Sequence, residues 1–169
     1  LIAGRINGVT VTYSGIVNKY KVAPLTLSFV NGLLKPILGE HVNYINALDI
    51  AKERGIDVKE VRSNKEEEFV NCVKVEIATD KEKFSIWGTL SSNLKPRIVK
   101  VNDVYVEAVP EGYMLFIKNN DKPGLVGAVG SIVGEVKVNI AGITLGREAQ
   151  DGVAISVINV DSEIGRAHV

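Results

Sequence analysis

The chain has 169 residues, 46% of them hydrophobic, which is enough to bury a sizeable core in one domain or two small ones. Twenty basic residues balance twenty acidic ones, so the charge excess that a nucleic-acid or anionic-membrane partner demands is absent. A single cysteine, Cys72, excludes an internal disulfide, and no Cys/His set has zinc or iron–sulfur spacing.

No apolar run approaches the roughly 20 residues that span a bilayer, and the N-terminus lacks the charged-apolar-small order of a signal peptide. A reducing, cytoplasmic setting is expected. The opening LIAGRINGVTVTYSG has no initiating Met and reads as the middle of a longer protein, whereas the terminal residues 165–169 read as a non-native tail.

In residues 5–13, Val9, Val11 and Tyr13 alternate with Thr10 and Thr12, the period of a half-buried strand that Gly15 ends. Residues 24–38 carry Leu25, Leu27, Val30, Leu33, Leu34 and Ile37 at helical spacing, with Gly32 weakening the middle and Pro36 expected to end or kink the helix. A second helix is expected to start near His41 or Asn43 and run through INALDIAKERG, with Gly55 as its C-terminal stop. His41 has no Ser, Cys or carboxylate partner at a telling distance and reads as a helix-edge residue rather than a catalytic imidazole. Glu66, Glu67 and Glu68 point in different directions on any regular backbone, so a solvated loop is favoured over a metal site.

Antiparallel sheet follows. Val73, Val75 and Ile77 alternate with Lys74 and Glu76, TDKEK turns, and Phe84 and Ile86 return; two more strands over 97–101 and 104–108 are joined through Asn102-Asp103. A helical pair against four or more strands is an α+β domain. Pro110-Glu111-Gly112 reads as the linker to a second unit.

That second unit opens with an apolar strand around Met114 and Phe116, closed by Asn119, Asn120 and Asp121. Pro123 suits the first turn of a helix over about 123–134, with Asp121 placed to accept from its orphan amides. Strands over 139–145 and 153–160 complete the pattern. Gly124, Gly127, Gly130 and Gly134 recur every three or four residues, and close packing of the helix on the sheet is the expected compensation for their poor helix propensity. Neither a GxGxxG after the strand nor a GK[ST] is present, so nucleotide binding is not indicated.

A helix start facing a strand end concentrates free N–H groups and polar side chains, which suits a small carboxylate such as an amino acid. Its carboxylate would take the amides near Pro123 and Gly124, and its ammonium would be held by Asp121 with Asn119 or Asn139. On spacing alone, an ordinary loop with a capped helix is favoured.

The segment NNDKPGLVGAVGSIVGEVKVNIAGITLGRE resembles the ACT domain of D-3-phosphoglycerate dehydrogenase. INALDIAKERGI with WGTLSSNLKPRIVKVNDVYVEAVPEGYMLFI resembles the intervening, allosteric substrate-binding domain of the same family's longer members. The resemblance implies an intervening α+β domain with a mainly antiparallel sheet over 1–110. A partial ferredoxin-like (βαββ) ACT domain follows over 111–164, lacking its last helix and strand. It also implies L-serine, or a similar small amino acid, as feedback effector, with Asn119, Asn120, Asp121, Pro123, Gly124 and Val126 lining the pocket. Asn139 and Ile140 would contact it from the next strand, often across a subunit interface of a homo-oligomer. Lys95, Arg97 and Lys100 are its candidates for a polyanionic effector, with solvated cations on a sheet edge as the alternative. The parent enzyme would use NAD, while this chain carries no catalytic residue, metal or cofactor of its own. The alternatives are the β portion of iron–sulfur L-serine dehydratase, whose GPSSSHT-like opening is lacking here, and a free-standing amino-acid sensor.

Overall fold

The computed structural model describes residues 3–64, 69–149 and 152–164. Glu66, Glu67 and Glu68 and the tail at 165–169 lie outside the described residues. The chain divides between Leu90 and Ser91 into two compact units.

The first unit begins with strand β1 (Ile6–Gly15), whose Val9, Val11 and Tyr13 are buried as their alternation requires. Gly15 ends the strand at φ 84°, and an added Cβ would sit 1.8 Å from the Val70 carbonyl oxygen, so both backbone angle and space demand glycine. Helix α1 (Ala23–Leu38) follows, with Val30 and Leu34 turned to the core. The helix does not end at Pro36 but runs through it to Leu38. Pro36 cannot make the hydrogen bond that would run to the carbonyl of Gly32, and only two residues of helix follow it.

The second helix starts later than expected. Asn43 Oδ1 accepts from the Ile45 and Asn46 amides, holding a turn before α2 (Ala47–Glu53) can begin. His41 falls in a short 3-10 turn and its carbonyl accepts from Asn46 Nδ2. Gly55 then closes α2 at φ 75°, with Ile56 N–H bonded to the Ala51 carbonyl.

Strand β2 (Asp57–Ser63), which the sequence pattern did not disclose, pairs parallel to β1. Strands β3 (Asn71–Thr79) and β4 (Lys83–Leu90) add antiparallel on the other side, in the order β2-β1-β3-β4. Tyr13, Thr26 and Glu60 tie β1, α1 and β2 together: the Tyr13 and Thr26 hydroxyls are 2.9 Å apart, and Thr26 donates to Glu60 Oε2 at 2.9 Å.

The second unit carries the hairpin β5 (Pro96–Val101) and β6 (Val104–Ala108), turned at Asn102 with φ 51°. Strand β7 (Tyr113–Asn119), helix α3 (Leu125–Glu135), β8 (Ile140–Arg147) and β9 (Ala154–Val160) form the βαββ motif, with strands in the order β7-β9-β8. Both pairings are antiparallel, so the fold class is α+β with a mainly antiparallel first sheet and a partial ferredoxin-like second one.

The register sorts the small sheet into two faces. Leu115, Ile117, Ile158, Val160 and Ile140 pack with Val129 and Val133 of α3. On the opposite face, Gly146 lies against β6, where an added Cβ would meet the Tyr105 carbonyl oxygen at 2.0 Å. Asn159 Nδ2 donates to the carbonyls of Val109 and Glu111, pinning the Pro110 segment to β9.

The α3 glycines do not pack closely on the sheet as expected. A Cβ at Gly127, Gly130 or Gly134 would meet nothing within 4 Å, so the cost of these residues in the helix has no packing compensation within this chain, while Gly124 lies ahead of the helix at φ 93°.

Candidate functional site

The corner between β7 and α3 is built by local turn chemistry. The Asp121 amide donates to Asn119 Oδ1 at 2.8 Å, and Asp121 takes φ 47°, a left-handed angle that Asp tolerates. Gly124 follows at φ 93° and forms the N-cap, so α3 starts at Leu125, two residues beyond Pro123. Asp121 does not cap the helix, correcting the expectation from spacing. No side chain does. The first bond of the helical ladder runs from Ala128 to the Gly124 carbonyl, which leaves the amides of Leu125, Val126 and Gly127 ahead of it.

The Asp121 carboxylate instead reaches across to β8, where Arg147 Nη1 donates to its Oδ2 at 3.0 Å. Behind this ion pair lies a cavity of about 630 Å³ between the start of α3 and the ends of β7, β8 and β9. Asn119, Asp121, Lys122, Pro123, Gly124, Leu125, Val126 and Gly127 line one side; Leu145, Gly146, Arg147, Ala154 and Ser156 line the other. The charged lining is thus the Asp121 carboxylate, the Arg147 guanidinium and the exposed Lys122, beside a helix N-terminus whose amide dipoles favour a negative charge. The inner wall is uncharged. Ser156 is 2% exposed, and neither its Oγ nor Asn119 Nδ2 has a hydrogen-bond partner.

Of the residues expected at this site, Asn119, Asp121, Pro123, Gly124 and Val126 line the cavity. Asn120 is exposed in the turn and does not. Ile140 opens β8 at its far end and Asn139 precedes it, so Ile140 lies seven strand residues or roughly 23 Å from Arg147 in the same chain. There Asn139 Nδ2 donates to Asp161 Oδ2 at 2.8 Å, and Ile140 packs around Val133.

Arg147 and Ser156 were not anticipated. Arg147 is 26 residues from its carboxylate, a distance no local pattern bridges. Ser156 did leave a signal: it is a lone hydroxyl in the apolar run AISVINV, on a strand buried along most of its length.

The basic residues of the hairpin are not gathered into one site. Arg97 Nη1 donates to the neighbouring Pro96 carbonyl, Lys100 Nζ lies 4.5 Å over the Tyr105 ring, and Lys95 is exposed. None of the three lines the cavity, nor a shallower one of about 510 Å³ between α2 and β2. Among the described residues, no group of three or more His, Cys, Asp or Glu side chains is placed to hold a metal. No described helix is long and apolar enough to cross a membrane.

Residues 1–102 match the family model described as the D-3-phosphoglycerate dehydrogenase intervening domain. The chain belongs to the D-3-phosphoglycerate dehydrogenase family. It is similar to the D-3-phosphoglycerate dehydrogenase of Methanocaldococcus jannaschii, 38% identical over 97% of this chain and 31% of that protein. The Synechocystis relative of the same name is 35% identical over 97% of this chain and 30% of its own length. The Bacillus subtilis one is 32% identical over 94% and 30%. The chain thus spans somewhat under a third of the length of these dehydrogenases, and the similarity runs through the cavity-bearing unit as well as the intervening domain.

Proposed function

We propose that this chain is the effector-sensing portion of an NAD-dependent, cytoplasmic D-3-phosphoglycerate dehydrogenase, and that it binds L-serine in the β7–α3 cavity as a feedback signal. Oxidation of 3-phosphoglycerate with NAD belongs to parts of the enzyme outside this segment. In this reading residues 1–110 are the intervening portion and 111–164 the ACT portion.

The observation that carries the reading is the pairing of opposite charges at one mouth. Asp121 suits an ammonium, while Arg147 and the leading α3 amides suit a carboxylate. A zwitterion offers both groups a few ångströms apart, and a plain carboxylate or amine offers only one.

A second copy of the chain completes the proposal. Among the described strands, β8 has a hydrogen-bonded neighbour only on its β9 side, and Ile143 and Leu145 on it are 41% and 61% exposed. Antiparallel pairing of two β8 strands about a two-fold axis would bring the Asn139 end of one toward the Arg147 end of the other. Serine bound at that junction would favour one packing of the copies over another, and could act only as far as it binds the two unequally.

Calorimetry with L-serine tests the reading, with D-serine and glycine as controls. L-serine should bind with a saturable heat that Asp121→Ala abolishes. An unchanged heat in Asp121→Ala, or none in the unaltered chain, refutes the proposed pocket.

A further inference from the structure

Four buried side-chain atoms among the described residues lack a hydrogen-bond partner: Asn18 Oδ1, Asn31 Oδ1, Asn119 Nδ2 and Ser156 Oγ. Two of the four line the same cavity. Buried polar atoms are nearly always paired, so two such atoms on one cavity wall call for a partner from outside the protein, a water or a ligand atom that displaces it.

The sheet register places them. Asn119 stands opposite Ala154, and Ser156 stands between Ile117 and Leu145, one row further in. Two residues along β9 amount to roughly 6.6 Å, so Ser156 lies a side-chain length deeper than the row holding Asn119 and Arg147. The Asn119 carbonyl oxygen is already engaged by the Asp121 amide, which leaves its NH₂ as the open end. The inner wall therefore offers one amide donor and one hydroxyl that can donate or accept, and no charge.

Packing does not account for Ser156. Its strand neighbours Ile155 and Val157 are buried hydrophobics, and an alanine at 156 would avoid a desolvated hydroxyl altogether. Nor does the shape of the cavity select its guest, since about 630 Å³ is several times the volume of a small amino acid. Selection must come from hydrogen bonds.

We infer that Ser156, with Asn119 beside it, reads the side chain of the bound amino acid and selects one bearing a hydroxyl. This rests on the amino-acid reading of the cavity. The charged mouth fixes the ammonium and carboxylate common to all such ligands, and the side chain then points inward. A ligand hydroxyl accepts from Asn119 Nδ2 and exchanges a bond with Ser156 Oγ. A methyl or ethyl group leaves both buried atoms without a partner, a penalty that falls only on the wrong ligand. Ser156 is a specificity residue, not a catalytic one.

The test is calorimetry on the full chain with L-serine, L-alanine and L-2-aminobutyrate, using Ser156→Ala and Ser156→Cys. The unaltered chain should bind L-serine about tenfold or more tighter than either apolar ligand. Both variants should bring that preference below about threefold by weakening serine alone, and unliganded Ser156→Ala should melt no lower than the unaltered chain. A preference that persists in Ser156→Ala overturns the inference while leaving the cavity reading intact. An equal loss of all three ligands in the variants also overturns it, since Ser156 would then support the cavity rather than read its contents. If none of the ligands binds the unaltered chain, the cavity reading falls and takes this inference with it.

Discussion

Replacing Gly146 by alanine is the sharpest probe of how the hairpin β5–β6 supports the cavity. The added Cβ would lie 2.0 Å from the Tyr105 carbonyl oxygen and 2.9 Å from Cγ1 of both Val104 and Val106. An ordinary carbon–oxygen contact needs roughly 3.3 Å, so β6 must retreat by more than about 1 Å. The obstacle is backbone held in a hairpin register, Lys100 opposite Tyr105, and cannot swing aside as a side chain would. Overpacking costs about 1–3 kcal/mol where neighbours can adjust, and the upper end applies here. Gly142 lies on the same strand and face, but its Cβ would meet nothing within 4 Å, so Gly142→Ala should be neutral or slightly stabilising. The two compact units need not unfold together, so hydrogen exchange at β8 and β9 amides is the better assay. A loss of about 3 kcal/mol accelerates exchange on the order of 100-fold. Because Arg147 is the next residue, displacement of β8 should also weaken serine in the proposed complex. Exchange in Gly146→Ala within threefold of Gly142→Ala would refute the close approach of β6 to β8.

Burial pushes the Tyr13 phenol above its ordinary pKa, with the Glu60 carboxylate acting in the same direction and the bond with Thr26 offsetting part of it. The folded chain therefore holds this proton more tightly than the unfolded one. Its contribution to stability is complete below about pH 10 and falls as pH rises through the folded value. Urea midpoints from pH 8 to 11 should decline less steeply in Tyr13→Phe, which should itself cost about 0.5–1.5 kcal/mol at pH 7; parallel declines would contradict this. Light scattering at micromolar concentration should find a dimer or larger assembly, and Leu145→Lys, placing a charge on the exposed β8 edge, should shift it toward monomer. A monodisperse monomer of the unaltered chain would exclude the paired β8 arrangement.

What could be read from the sequence follows the range of the interactions responsible. Strand β1 was legible because Val9, Val11 and Tyr13 report a buried face directly. Strand β6 matched to the residue because Asn102-Asp103 and the segment after Ala108 bound it on either side. Strand β2 was hidden because it is an edge strand exposed over most of its length, so its DVKEVRS shows no alternation and only the pairing with β1 makes it a strand. Helix α2 lost its expected first turn to Asn43, whose side chain offers the backbone a competing bond. The candidate site divides the same way. Asn119 to Gly124 could be read because turn chemistry is local, while Arg147 and Ser156 required knowing that β9 lies between β7 and β8.

The Asp121–Arg147 pair explains why such a corner can sense a zwitterion without a large rearrangement. The two side chains are 28% and 60% exposed, so their attraction is screened by water and contributes about 0–1 kcal/mol. Opening it is cheap. In the proposed complex, the ligand ammonium replaces Arg147 at the carboxylate, and the ligand carboxylate replaces Asp121 at the guanidinium. Two ion pairs form for one broken, a net gain of one pair, and Asp121→Ala would leave the ligand ammonium without its counter-charge. The remainder comes from the leading amides of α3, which no side chain caps, and from Asn119 Nδ2 and Ser156 Oγ, which have no hydrogen-bond partner within the protein. Affinity is thus shared between the Asp121 carboxylate, which the ligand ammonium requires, and the neutral hydrogen-bonding groups around it. It follows that binding should weaken only modestly as salt rises, because screening acts on the exchanged pairs and hardly on the buried bonds.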